Sequence, residues 1–334
     1  MEGTRGAGSE MLEDAVVRAS SVVVLGHGGG SDCLVANLIT PWLRTLGVAD
    51  VFVGGIACQW WTEPGVVLDE YTRVLGPDFY DPQQLTGARP LGDHAVLVGP
   101  DAALDGRVPY EAIYADHFGA DAFILSLRGG GRGVAAGLRS VVEHVDATVV
   151  ISVDVGSDTL STGHETRPVH TALADHLTLA ALLDQRVSTF FGLAGYGCDG
   201  EMDLEEVDAN FSKVLAANGL RGVIAPRMAD LDELDVLHSR RVDPVGSLVG
   251  HANRGRFGLH RVRTSTPHGH TVRLGPAAVP IWVMDPRVVA DEVATDVRHL
   301  VSTSTADEAQ AAYAAVGRIP ETMLARVVEY SRPR

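Results

Sequence analysis

The feature that most constrains this chain is a repeating order: a short apolar run, a loop, then an apolar-periodic stretch long enough for a helix. Ser21-Val22-Val23-Val24-Leu25 leads into Gly26-His27-Gly28-Gly29-Gly30-Ser31-Asp32 and a helical pattern over 32–46. Further strands are expected at 51–54, 95–98, 122–127, 148–153 and 188–193, and helices at 10–19, 110–117, 134–145, 169–185 and 203–218. Short continuous apolar runs suit strands buried on both faces, and their alternation with helices predicts a parallel sheet covered on both sides. The expected fold class is α/β, Rossmann-like, with a mainly parallel sheet.

A single domain over 1–334 is expected, with a core at about 18–225 and a C-terminal elaboration at about 226–334. In the elaboration, 231–253 reads as a helix broken at Pro244. Segments 260–266 and 270–274 flank the turn Pro267-His268-Gly269 as a hairpin, 281–284 is a strand, and 305–316 and 320–330 are helices. Residues 59–92, with Trp60 and Trp61, read as an irregular excursion.

Asp and Glu number 43 against 27 Lys and Arg, a net charge of −16. That field repels nucleic-acid phosphates and anionic bilayers, so neither is an expected partner; a homo-oligomer is compatible with it. No apolar run reaches the roughly 18 residues of a membrane span, the first residues lack a signal-peptide core, and three cysteines suit a reducing compartment. A cytoplasmic location is expected. Only one basic residue, Lys213, is a lysine, and it lies in a solvated helical pattern. Schiff-base, pyridoxal-phosphate and P-loop chemistries each need a placed lysine, so they are excluded.

Three loops carry chemistry. In the first, Gly28, Gly29 and Gly30 expose backbone N–H groups beside Asp32 and His27, an anion cradle at a helix start. It departs from G-x-G-x-x-G and strand two ends without a ribose-binding acid, so a nicotinamide cofactor is disfavoured. In the second, Arg128 and Arg132 bracket Gly129, Gly130 and Gly131 and could hold a phosphate or carboxylate. The third theme is acidic. Asp154 and Asp158 follow the most apolar strand, Glu165 lies just beyond, and Asp199 and Glu201 follow the next strand. Together with Asp32, such carboxylates suit a Mg²⁺ or Mn²⁺ ion or general acid–base work, with His27 as a proton carrier. Asp32 and Asp158 also fit the simpler role of helix and turn caps.

Val24 to Asp32, Val153 to Asp158 with Gly163-His164-Glu165, and Gly197-Cys198-Asp199-Gly200-Glu201 resemble an archaeal and bacterial family called domain of unknown function 1152. Ser31 and Ser157 stand where that family's pattern has glycine. The resemblance covers most of the chain and implies that the three loops form one site; it implies no activity. The expected function is an enzyme acting on a small phosphorylated or nucleotide-like anion, with transferase or hydrolase chemistry. A non-catalytic ligand-binding protein and a metal-independent lyase or isomerase are the alternatives.

Overall fold

A computed structural model describes residues 10–61, 75–241, 243–262 and 270–321. Its strands are β1 (Ser21–Gly26), β2 (Asp50–Ile56), β3 (Cys58–Trp61), β4 (Leu75–Phe79), β5 (Arg89–Pro90), β6 (Ala95–Val98), β7 (Ala122–Leu125), β8 (Val149–Val155), β9 (Ser188–Ala194), β10 (Leu220–Ile224), β11 (Gly258–Val262), β12 (His270–Leu274) and β13 (Ile281–Met284). Nine of them form one sheet in the order β10-β13-β9-β8-β1-β2-β7-β6-β5. The five central strands, β9 to β7, run parallel, and antiparallel strands close both ends. The chain is a mixed α/β protein with a large, mostly parallel sheet flanked by helices, as its apolar runs require.

Every residue of β1 and β8 is buried. This explains the predominance of Val, Leu and Ile in them: a strand covered by helices on both faces has no solvent side to mark with alternating polar residues. Helices Gly130–His144 and Ala172–Leu183 pack against each other, and the C-terminal helices Pro286–Glu292, Val297–Leu300 and Ala306–Ala315 lie against this pair.

Several elements depart from the expected pattern for identifiable reasons. The pattern over 32–46 divides into Asp32–Ala36, a tight turn Asn37–Ile39 and Thr40–Thr45, with Pro41 in the first turn of the last piece. Proline lacks the N–H that would continue the ladder. The excursion 59–92 contains the hairpin β3–β4. The helix expected from Val134 begins at Gly130, so Gly130, Gly131 and Arg132 belong to a helical turn and not to an open loop. β10 was hidden because Arg221 and Gly222 interrupt it; Arg221 is buried against Asp285, with Nη2 2.8 Å from Oδ2. The hairpin of β11 and β12 is present, with residues 263–269 outside the described residues, as are residues 322–334.

Candidate functional site

From β1 the chain builds β2 and β7 on one side, then returns to build β8 and β9 on the other, so strand order reverses between β1 and β8. The crevice beyond the carboxyl ends of the strands at such a reversal is where open α/β sheets bind ligands. Residues 26–32 and 155–158 leave β1 and β8 at this place.

Three carboxylates meet there. Asp32 opens the helix Asp32–Ala36, Asp154 is the penultimate residue of β8, and Asp175 lies in the first turn of helix Ala172–Leu183. One ligand oxygen from each falls within 4.8 Å of the others, and all three residues are buried. Gly28 permits the approach, because a Cβ at that position would collide with the Asp175 carboxylate. The Gly28 N–H donates to Asp32 Oδ2 at 2.7 Å, and the Thr159 hydroxyl donates to Asp175 Oδ1 at 3.4 Å. Asp154 Oδ2 is buried without a hydrogen-bond partner.

A second set of carboxylates borders these. Asp158 accepts from the Thr171 hydroxyl at 2.7 Å, Asp199 from the Ser157 N–H at 3.0 Å, and Glu201 from the His170 N–H at 2.7 Å. Gly156 turns the chain here at φ +137°, and a Cβ on it would lie 2.6 Å from Asp199 Oδ2. Burial is the main force on all of these groups. Burial, then Asp154, pushes Asp32 well above the ordinary carboxylate range, and burial, then Asp175, does the same to Asp158. Asp175 moves up through burial, Asp154 and Asp32; Asp199 moves up through burial. Burial brings Asp154 and Glu201 to about 7. Among the described residues no arginine or lysine forms a salt bridge with any of the six. Buried carboxylates without a cation are costly, and proteins resolve such clusters by protonation or by a bound metal. A hard divalent ion takes oxygen ligands about 2.1 Å away, so carboxylate oxygens at this spacing can share one Mg²⁺ or Mn²⁺.

The structure thus draws Asp32, Asp154, Asp158, Asp199 and Glu201 into one neighbourhood. It places the remaining candidates otherwise. His27 is fully buried beneath the loop, its Nδ1 2.7 Å from Ser152 Oγ and its ring against Phe191. Burial lowers its pKa to about 3, so it is neutral near pH 7 and is poorly suited to carry protons as an imidazolium. In the first loop two of the three glycine amides expected to meet an anion already donate, Gly28 to Asp32 and Gly30 to Cys58 O at 2.9 Å, and the next amide, Ser31, donates to Asp243 Oδ2 at 3.3 Å. Gly29, at φ +98°, is pressed against Cys58.

Arg128 and Arg132 are exposed, and Arg128 pairs with Asp81 at 2.9 Å. The glycines between them pack elsewhere: Gly129 against His94, and Gly130 and Gly131 against the segment from Leu300 to Thr305, with the Gly131 N–H donated to Thr303 Oγ1. Small residues here serve the close approach of the C-terminal segment. Glu165 accepts from the Thr162 and Gly163 amides and so staples its own turn. The three cysteines are buried, and burial raises each thiol pKa.

Sequence reasoning missed Asp175. Its signal was an acid inside Ala172–Leu183, a helix that is otherwise apolar apart from His176 and Thr178. Glu321 was missed as well. It is wholly buried, and its two oxygens accept the Ala174 N–H at 3.0 and 3.2 Å, next to Asp175.

Residues 23–326 match the family described as "Protein of unknown function (DUF1152)". The chain belongs to that family. No curated protein and no solved structure matches it. Among the described residues no helix is long and apolar enough to cross a membrane.

Proposed function

We propose that this DUF1152 protein is a divalent-cation-dependent enzyme of the hydrolase or transferase type, acting on a small phosphorylated or nucleotide-like molecule. The observation that carries the reading is the buried meeting of Asp32, Asp154 and Asp175 at the strand-order reversal, with Asp154 Oδ2 unpartnered. These three residues would hold Mg²⁺ or Mn²⁺. Such an ion, when bound, neutralises phosphoryl oxygens and lowers the pKa of a water. A cation would also answer the lack, among the described residues, of any arginine or lysine salt bridge to these carboxylates, since it would let a phosphate approach them. Asp158, Asp199 and Glu201 border the same space and supply candidates for accepting a proton from the attacking water or hydroxyl.

The test is Mn²⁺ binding by calorimetry, followed by a turnover screen over nucleotides and sugar phosphates with and without chelator. Asp154→Asn and Asp175→Asn should each weaken Mn²⁺ binding at least about 10-fold and abolish turnover while the far-ultraviolet dichroism stays as in wild type. Turnover that survives both chelator and Asp175→Asn would sink the cation's role. Ligand binding with no turnover would favour a binding protein using the same crevice.

A further inference from the structure

Residues 244–284, between Asp243 and Asp285, contain five arginines and four histidines but no aspartate, glutamate or lysine. The whole chain is −16, so with these five positive charges set aside the remainder carries −21. This is by far the longest acid-free stretch of the sequence.

Two of these arginines, Arg261 and Arg273, lie on the ribbon of β11 and β12. Leu259 pairs with Arg273, His260 with Val272 and Arg261 with Thr271. Side chains alternate across a strand, so the two faces differ. Val262, Val272 and Leu274 turn inward and are buried; Leu259, Arg261, Thr271 and Arg273 turn outward and are exposed. Leu259 is 73% exposed, and Phe257, just before the ribbon, is 47% exposed. Arg254 is engaged by Asp232 and Asp235. Arg256, Arg261 and Arg273 form no ion pair among the described residues. Among the described residues the outer face therefore presents a strip, the unpaired guanidinium groups of Arg261 and Arg273 around the exposed Leu259, with exposed Arg256 and Phe257 just before it in the chain.

We propose that this strip docks on the acidic surface of a second copy of the same chain. Arginine beside apolar anchors is the composition of interface centres, because its planar head pairs with carboxylates while its stem packs on carbon. The complementary charge is supplied by the protein itself. A nucleic acid or an anionic bilayer is a less favourable occupant: each extends past the strip and would meet the repulsion of the remaining −21. A folded partner of the same sequence offers carboxylates in excess, with 43 Asp and Glu against 27 Lys and Arg.

Sedimentation of the full-length protein tests this at low salt (about 0.05 M NaCl) and at about 0.5 M, where screening shortens the reach of charge several-fold. Wild type should associate at low salt and lose at least about 10-fold in association constant at high salt. Leu259→Asp, and separately Arg261→Glu with Arg273→Glu, should be monomeric in both buffers. These side chains are exposed, so the far-ultraviolet dichroism should match wild type. A wild type monomeric at low salt overturns the proposal. So does a dimer unmoved by salt or by either variant, and so does a monomer whose ribbon binds anionic vesicles or single-stranded nucleic acid. None of these outcomes bears on the cation site.

Discussion

Glu111 sits in the helix Tyr110–Phe118 with 1% of its surface exposed, a position ordinarily reserved for apolar side chains. Gln59 Nε2 approaches its Oε2 at 3.4 Å, and Gly55 leaves the room that its other oxygen fills. Burial raises its pKa from 4.5 to about 7. A carboxyl with a raised folded pKa binds more protons in the folded state between those two values, so it lowers stability as pH climbs from about 4.5 to 7 and adds no further slope above. The shift corresponds to a loss of about 3 kcal/mol at most. Glu111→Gln keeps the shape and cannot ionise, so chemical denaturation across this window should show wild type losing more stability than the variant by up to that amount. Parallel curves would show that Glu111 does not ionise on folding as described.

At the same scale, the site was partly readable. Asp32, Asp154, Asp158, Asp199 and Glu201 follow apolar strands in acid-and-glycine loops, a local pattern. Asp243 and Glu321 reach the site neighbourhood across 212 and 147 residues of chain, and no local pattern reports such pairings.

Elements were legible where one strong periodicity governed them. β6 and β13 coincide with their apolar runs, and β1, β8 and β9 extend theirs by one or two residues. The glycines of Gly130–His144 misled because glycine signals both a loop and a close helix contact, and only the position of Thr303 distinguishes the two. A comparable long-range dependence governs the helix Ala172–Leu183. Its preceding residue, Thr171, does not cap it but donates to Asp158, and Glu321 accepts the Ala174 N–H instead. Glu321 thus serves as a remote cap, and the turn it fixes is the one that presents Asp175. Arg318 secures the same segment through Ser161 and Asp296. Glu321→Ala should cost about 1–2 kcal/mol, as a lost cap does, and speed hydrogen exchange at residues 172–175. It should also weaken Mn²⁺ binding about 10–100-fold, the usual effect of removing a partner that orients a metal ligand. Glu321→Gln, which still accepts a hydrogen bond, should recover most of both. Unchanged exchange in the alanine variant would remove Glu321 from this role.

For the whole molecule, the sequence pattern suggests a core ending near residue 225, with the remainder added on. The sheet makes a different demand. β13 lies between β10 and β9, pairing Trp282 with Leu193, Val283 with Gly192 and Met284 with Phe191, while its other edge carries β10. A chain ending at residue 225 would retain β10 without β13, its one sheet neighbour among the described residues, and leave the backbone groups of β9 unpaired along that edge. It would also uncover the helices Gly130–His144 and Ala172–Leu183 where the C-terminal helices rest, and remove the Glu321 cap. Each loss falls on buried surface or on ladder hydrogen bonds, and a domain's net stability of about 5–15 kcal/mol does not absorb all of them. The fragment should therefore keep helical far-ultraviolet dichroism, bind a hydrophobic dye and melt without a cooperative transition, while the full chain melts cooperatively. A fragment with a sharp transition and near-ultraviolet dichroism of its own would mean that the sheet can close at β9, and that β13 and the helices after it are an addition to a core already complete.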